Sequence, residues 1–135
     1  MEKIKILMVD DEERFRETTS KLLTRKGLDV TLAASGEEAV EAIKKKPHDV
    51  VVLDIKMEGM DGHETLLKLQ QIDSEIKVIM LTGHGSADSA QKAIKDKAFD
   101  YINKPCDIDI LTMKIQEAYY EKYHLKNQKE KKAYD

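Results

Sequence analysis

The chain has 135 residues, 41% hydrophobic and 36% charged, a composition that suits one compact domain around a single buried core. Its formal net charge of −3 gives no field that would hold the molecule on nucleic acid or an anionic membrane, so neither direct nucleic-acid binding nor membrane attachment is expected. The opening Met-Glu-Lys-Ile-Lys has no apolar run long enough for a signal peptide or membrane helix, and the lone Cys106 cannot form an internal disulfide. A reducing cytoplasm is the expected location.

In chain order, Ile4 to Val9 is a nearly continuous apolar run, the form of a strand buried on both faces of a parallel sheet. Asp10-Asp11-Glu12-Glu13 ends it. Phe15, Thr19, Leu22 and Leu23 then recur at helical spacing, and Gly27 follows where a C′ glycine belongs. Val30-Thr31-Leu32-Ala33 mixes polar with apolar residues, as a strand at the sheet margin does. Ser35-Gly36-Glu37-Glu38 is a capping box that opens a helix carrying Ala39, Val40 and Ile43. Val50 to Leu53 is a second central strand, ending in Asp54, and Leu66, Leu67 and Leu69 mark the helix after it. Val78 to Leu81 is the third central strand, ending in Thr82. Ser86 is a good N-cap for a helix bearing Ala87, Ala90 and Ile94. The second marginal strand, Asp100-Tyr101-Ile102-Asn103, runs into Lys104-Pro105, a rigid turn suited to holding the lysine in place. Asp107 caps a last helix with Ile108, Leu111, Ile115 and Ala118. From Glu121 the sequence is strongly polar. Residues 1–122 are therefore read as the domain and 123–135 as a tail that extends the last helix or begins a linker.

Strands alternating with helices need crossover connections, and right-handed crossovers put helices on both faces of a parallel sheet. The expected fold is a doubly wound α/β sheet of five parallel strands. Ligands bind such sheets beyond the carboxyl ends of the strands, where Asp10-Asp11, Asp54, Thr82 and Lys104 all fall. Three converging carboxylates repel one another unless a cation sits among them. An oxygen-only ligand set that also leaves room for phosphate suits Mg²⁺, with Mn²⁺ as a substitute. With the charge neutralised, Asp54 is the best-placed nucleophile for a phosphoryl group, which Lys104 and Thr82 can grip by an ammonium and a hydroxyl.

Four blocks carry a resemblance: Val9-Asp10-Asp11, Asp54 through Gly62, Leu81-Thr82-Gly83, and Ala98 through Pro105. In order and spacing they resemble the receiver domain of bacterial two-component response regulators, over about residues 4 to 122. The resemblance implies the flavodoxin-like (βα)5 fold with strand order 2-1-3-4-5. It implies that Asp54 takes a phosphoryl group from a sensor histidine kinase or phosphotransfer protein. Asp10, Asp11, Asp54 and the main-chain carbonyl of Lys56 would hold Mg²⁺, Asp10 through water. The domain would be a switch that catalyses only its own phosphorylation and slow autodephosphorylation, with Lys56 and His84 tuning the lifetime of the phosphoryl group. Thr82 and Tyr101 would relay the change to the face made by the fourth helix, fifth strand and fifth helix, for an effector domain, a downstream protein or a phosphorylation-dependent homodimer.

Three positions depart from the pattern. Glu58 stands where proline is usual, Lys97 where glycine is usual, and Cys106 where an aromatic is frequent; without proline, the loop after Asp54 is expected to be looser. The competing readings are a nucleotide-binding enzyme on the same sheet and a receiver-like interaction module that is not phosphorylated. The first lacks a glycine-rich loop after the first strand, where four acidic residues would repel a nucleotide. The second is disfavoured because every site residue is retained.

Overall fold

The computed structural model describes residues 3–83 and 87–134, with the side chains of 87 and 125–134 outside that description. Five strands, β1 (Lys5–Val9), β2 (Asp29–Ala33), β3 (Val50–Asp54), β4 (Lys77–Thr82) and β5 (Asp100–Asn103), alternate with helices α1 (Glu13–Arg25), α2 (Gly36–Lys45), α3 (Gly62–Ile72), α4 (Ala87–Lys95) and α5 (Ile108–Tyr134). All neighbouring strands are parallel, in the order β2-β1-β3-β4-β5.

Successive side chains of a strand point to opposite faces, and the central strands divide their apolar residues accordingly. Leu7, Val9, Val51, Leu53, Val78 and Met80 face α2, α3 and α4, where Ala39, Ile43, Leu66, Leu69 and Ala93 close the core. Ile6, Met8, Val50, Val52, Ile79 and Leu81 face α1 and α5, closed by Leu23, Leu111, Ile115 and Ala118. Each fully buried Leu, Ile or Met contributes about 1.5–3 kcal/mol. The acidic and hydroxyl residues that end the runs of β3 and β4 are themselves strand residues, since Asp54 pairs with Leu81 and Thr82 with Asn103. The chemistry thus rests on the sheet's own ladder.

Ser35 caps α2 as expected, with the Glu38 amide donating to Ser35 Oγ at 3.1 Å, while Glu38 Oε2 reaches back one residue beyond the N-cap to accept from the Ala34 amide at 2.8 Å. Asp61 caps α3 by accepting from the Glu64 amide at 2.9 Å. The apolar phase expected for α4 is off by one position. Ala93 is its buried residue and Ile94 is 71% exposed, because so small a contact residue leaves little apolar signal to fix the phase. Leu67 is likewise exposed, and the expected cap Ser86 lies outside the described residues. The polar stretch after 122 is helical, as α5 runs on to Tyr134. Among the described residues no helix is long and apolar enough to cross a membrane.

Two helices end in the same bond pattern. After α1, the amides of Gly27 and Leu28 donate to the carbonyls of Thr24 and Leu23; after α4, those of Lys97 and Ala98 donate to Ile94 and Ala93. This is the Schellman arrangement, which needs a left-handed residue at C′. Gly27 has φ +90° and Lys97 has φ +65°. A left-handed lysine costs roughly 1–2 kcal/mol, partly offset by the extra unfolded-state freedom of a glycine. Lys97→Gly is therefore expected to raise stability by about 0.5–1 kcal/mol, read as a higher urea midpoint. An unchanged or lower midpoint would show that Lys97 is not strained.

Candidate functional site

The carboxyl ends of β1, β3, β4 and β5 meet at one rim. Asp10 follows β1 and is tied to the next strand by its amide, which donates to the Ala33 carbonyl at 3.1 Å. Lys104 follows β5 and is tied to β4 in the same way, its amide donating to the Thr82 carbonyl at 2.6 Å. The Lys104-Pro105 peptide is cis.

Asp10 is fully buried. Its Oδ2 lies 2.5 Å from Lys104 Nζ, and its Oδ1 accepts from the Glu12 amide at 2.9 Å. Buried charge is tolerated when paired and hydrogen-bonded in this way. Lys104 Nζ also reaches Asp54 Oδ1 at 3.7 Å and sits 4.1 Å from the centroid of the Phe15 ring. Asp11 is exposed, and its Oδ2 accepts from the Glu58 amide at 3.2 Å. A proline at 58 could not make that bond, which ties the loop after Asp54 to the acidic cluster.

One oxygen from each of Asp10, Asp11 and Asp54 lies within 4.8 Å of the others, the one such cluster of three or more ligand residues among those described. Burial pushes the Asp54 carboxyl up from 3.8 to about 6, reinforced by the charges of Asp10 and Asp11 and opposed by Lys104 and a hydrogen bond from the Lys56 main chain. Three acids against one lysine leave net negative charge in a partly dry site. That oxygen-only donor set fits a hard divalent cation, whose charge would offset the cost of keeping Asp54 ionised.

Thr82, buried at the end of β4, belongs to the same rim. Lys56 has an exposed side chain beside Asp54. Tyr101 packs its ring against the core beneath α2, α3 and α4, and its buried hydroxyl has no hydrogen-bond partner among the described residues. His84 lies outside the described residues. Two residues with buried or charge-bearing roles were not signalled by the sequence. Phe15 reads there only as part of the apolar face of α1, and His63 as a polar helix residue, yet both His63 ring nitrogens are buried without a partner among the described residues. Burial lowers its pKa, as it does that of His48. A cavity of about 650 Å³ between Lys77, Phe99 and Glu121 opens near the opposite ends of β4 and β5, away from the aspartates.

The family model for the response regulator receiver domain matches residues 6–116. The chain is 38% identical over 117 residues to the transcriptional regulatory protein ZraR of Klebsiella oxytoca, covering 87% of this chain and 26% of that protein. It is 40% identical over 102 residues to the DNA-binding transcriptional regulator NtrC of Klebsiella pneumoniae, covering 76% and 22%. The chain thus spans about a quarter of the length of these curated relatives. Among solved structures, a response regulator receiver domain protein from Clostridium thermocellum superposes with a TM-score of 0.86 at 35% identity, covering 90% of this chain and 98% of that one. NtrX from Brucella abortus gives 0.89 at 29% identity, covering 96% and 29%. Sequence and shape agree over the segment that carries the aspartates and the lysine, and the chain belongs to the response regulator receiver domain family.

Proposed function

We propose that Asp54 is the phosphoacceptor and that residues 1–122 form the working domain, with 123–135 as a continuation of α5. The observation that carries this reading is the placement of Asp54 at the end of the central strand β3, between two further carboxylates and 3.7 Å from a lysine ammonium. A carboxylate oxygen of Asp54 forms the new O–P bond as the N–P bond of a phosphohistidine donor breaks, and the imidazole leaves. Lys104 holds one phosphoryl oxygen by charge-assisted hydrogen bonding, and the Thr82 hydroxyl donates to another. Bound Mg²⁺, held by Asp10, Asp11, Asp54 and the Lys56 main-chain carbonyl, would supply charge neutralisation on the phosphoryl oxygens. Hydrolysis returns Asp54 to its free form, with Lys56 and His84 setting the rate at which water arrives.

The donor is a sensor histidine kinase or phosphotransfer protein. The output passes through Thr82 and Tyr101 to the surface of α4, β5 and α5, which meets an effector domain, a downstream protein or a second phosphorylated copy. The test is intact-protein mass spectrometry after incubation with acetyl phosphate and Mg²⁺. One phosphoryl group should be gained, and lost in Asp54→Asn or with chelator. Failure to gain it, together with failure to bind beryllofluoride, would leave a surface that acts without phosphorylation.

A further inference from the structure

Lys104 carries the only cationic group that the described structure places against both Asp10 and Asp54, and three neighbours fix it. Two are the carboxylates, Asp10 Oδ2 at 2.5 Å and Asp54 Oδ1 at 3.7 Å. The third is the face of Phe15, whose ring centroid lies 4.1 Å from Nζ. Phe15 stands in the first turn of α1, half-buried against the core beneath α1 and α5. The Lys104 side chain is only 13% exposed, so little water competes for the ammonium. A cation held within about 6 Å of an aromatic face is attracted by the ring quadrupole, and more strongly where it is desolvated.

The three holds differ in kind. Asp10 alone would pin the ammonium at one point. A phosphoryl oxygen on Asp54 lies beyond the carboxylate that Nζ now faces at 3.7 Å, so gripping it by a charge-assisted hydrogen bond requires Nζ to loosen its hold on Asp10. Attraction to a ring face is spread over the ring, so the ammonium keeps it while exchanging one oxygen for another. An aliphatic side chain at 15 would fill the space without holding charge.

We propose that Phe15 is a positioning residue for phosphoryl transfer to Asp54, its ring face holding the Lys104 ammonium while the lysine exchanges Asp10 for the phosphoryl group. This rests on the reading of Asp54 as the acceptor. Phe15 does not touch the reacting atoms; it acts through Lys104.

The test keeps the shape of the side chain and changes its electronics. Phe15 is replaced in the whole chain by mono-, di- and trifluorophenylalanine. Phosphorylation by acetyl phosphate with Mg²⁺ is timed by mass spectrometry, and the Lys104 ε-methylene protons are followed by NMR. The rate should fall stepwise along the series, by roughly tenfold at the trifluoro ring. Phe15→Leu should fall as far, and Phe15→Trp should match the native rate. In the native chain the ring current should shift the Lys104 ε protons upfield, and the shift should vanish in Phe15→Leu. Equal rates along the fluorinated series in a chain that is phosphorylated would overturn the role of Phe15 alone. A native chain that takes no phosphoryl group and binds no beryllofluoride, with the Lys104 shift intact, would overturn the acceptor reading and this proposal with it.

Discussion

Asp54→Asn is expected to make the metal-free protein more stable at neutral pH, by about 1–2 kcal/mol, while removing its capacity to be phosphorylated. The carboxyl of Asp54 is pushed up to about 6 from 3.8 chiefly by burial, so its ionised form is disfavoured in the folded state. The full shift corresponds to roughly 3 kcal/mol, and solvent that still reaches the group reduces it. For an acid with a raised folded pKa, the folded state binds more protons than the unfolded state between about pH 4 and pH 6. Stability therefore falls as pH rises through that window, and the cost is fully present above it. Asparagine has no such titration. His48 and His63 pull the other way, since their lowered pKa values make stability fall as pH drops below the ordinary histidine range. They are common to both proteins, so the difference between native chain and variant isolates Asp54. Urea unfolding with chelator at pH 7.5, 6 and 4.5 should show a gap that closes as pH falls. A variant less stable than the native chain at pH 7.5, or a gap that does not change with pH, would show that Asp54 is not under electrostatic strain. Excess Mg²⁺ should narrow the gap at pH 7.5, because it stabilises the carboxylate only in the native chain.

Gly62→Ala should be the most damaging of the glycine substitutions near the site, costing about 2–4 kcal/mol and slowing phosphorylation. A Cβ at 62 would lie 2.6 Å from the Asp54 carbonyl oxygen and 2.6 Å from Ile55 Cα. Both are main-chain atoms of the strand end that presents the acceptor, and neither can rotate away. The Gly62 amide also donates to the Ile55 carbonyl at 2.9 Å, which fixes the close approach. Relief requires α3 to retreat or the end of β3 to shift, and either displaces the Asp54 carboxylate. Gly83→Ala is the control, since nothing among the described residues lies within 4 Å of its added Cβ, and it should change stability by no more than about 0.5 kcal/mol. Comparable midpoints for the two variants would mean that the contact at Gly62 yields without cost.

The sheet was readable in the sequence because its central strands are buried on both faces, so Ile6 through Val9, Val50 through Leu53 and Val78 through Leu81 are apolar without interruption. The polar residues that break those runs were then conspicuous, and Asp10, Asp54 and Thr82 do stand together at one rim. What escaped lies between elements. The phase of α4 turns on one alanine, Ala93, too small to mark a face. His63 sits on a helix where a polar residue reads as solvent-facing, yet the fold buries it. Phe15 and Lys104 are 89 positions apart in the sequence, and no periodicity links an aromatic on the first helix to a lysine after the last strand.

The bond from the Glu58 amide to Asp11 divides the work of one residue between main chain and side chain. Any residue with an amide hydrogen can supply the anchor, while the side chain at 58 is exposed and takes no part in it. The side chain at this position is therefore free to change to any residue but proline, and the main-chain hold between the acidic cluster and the loop stays.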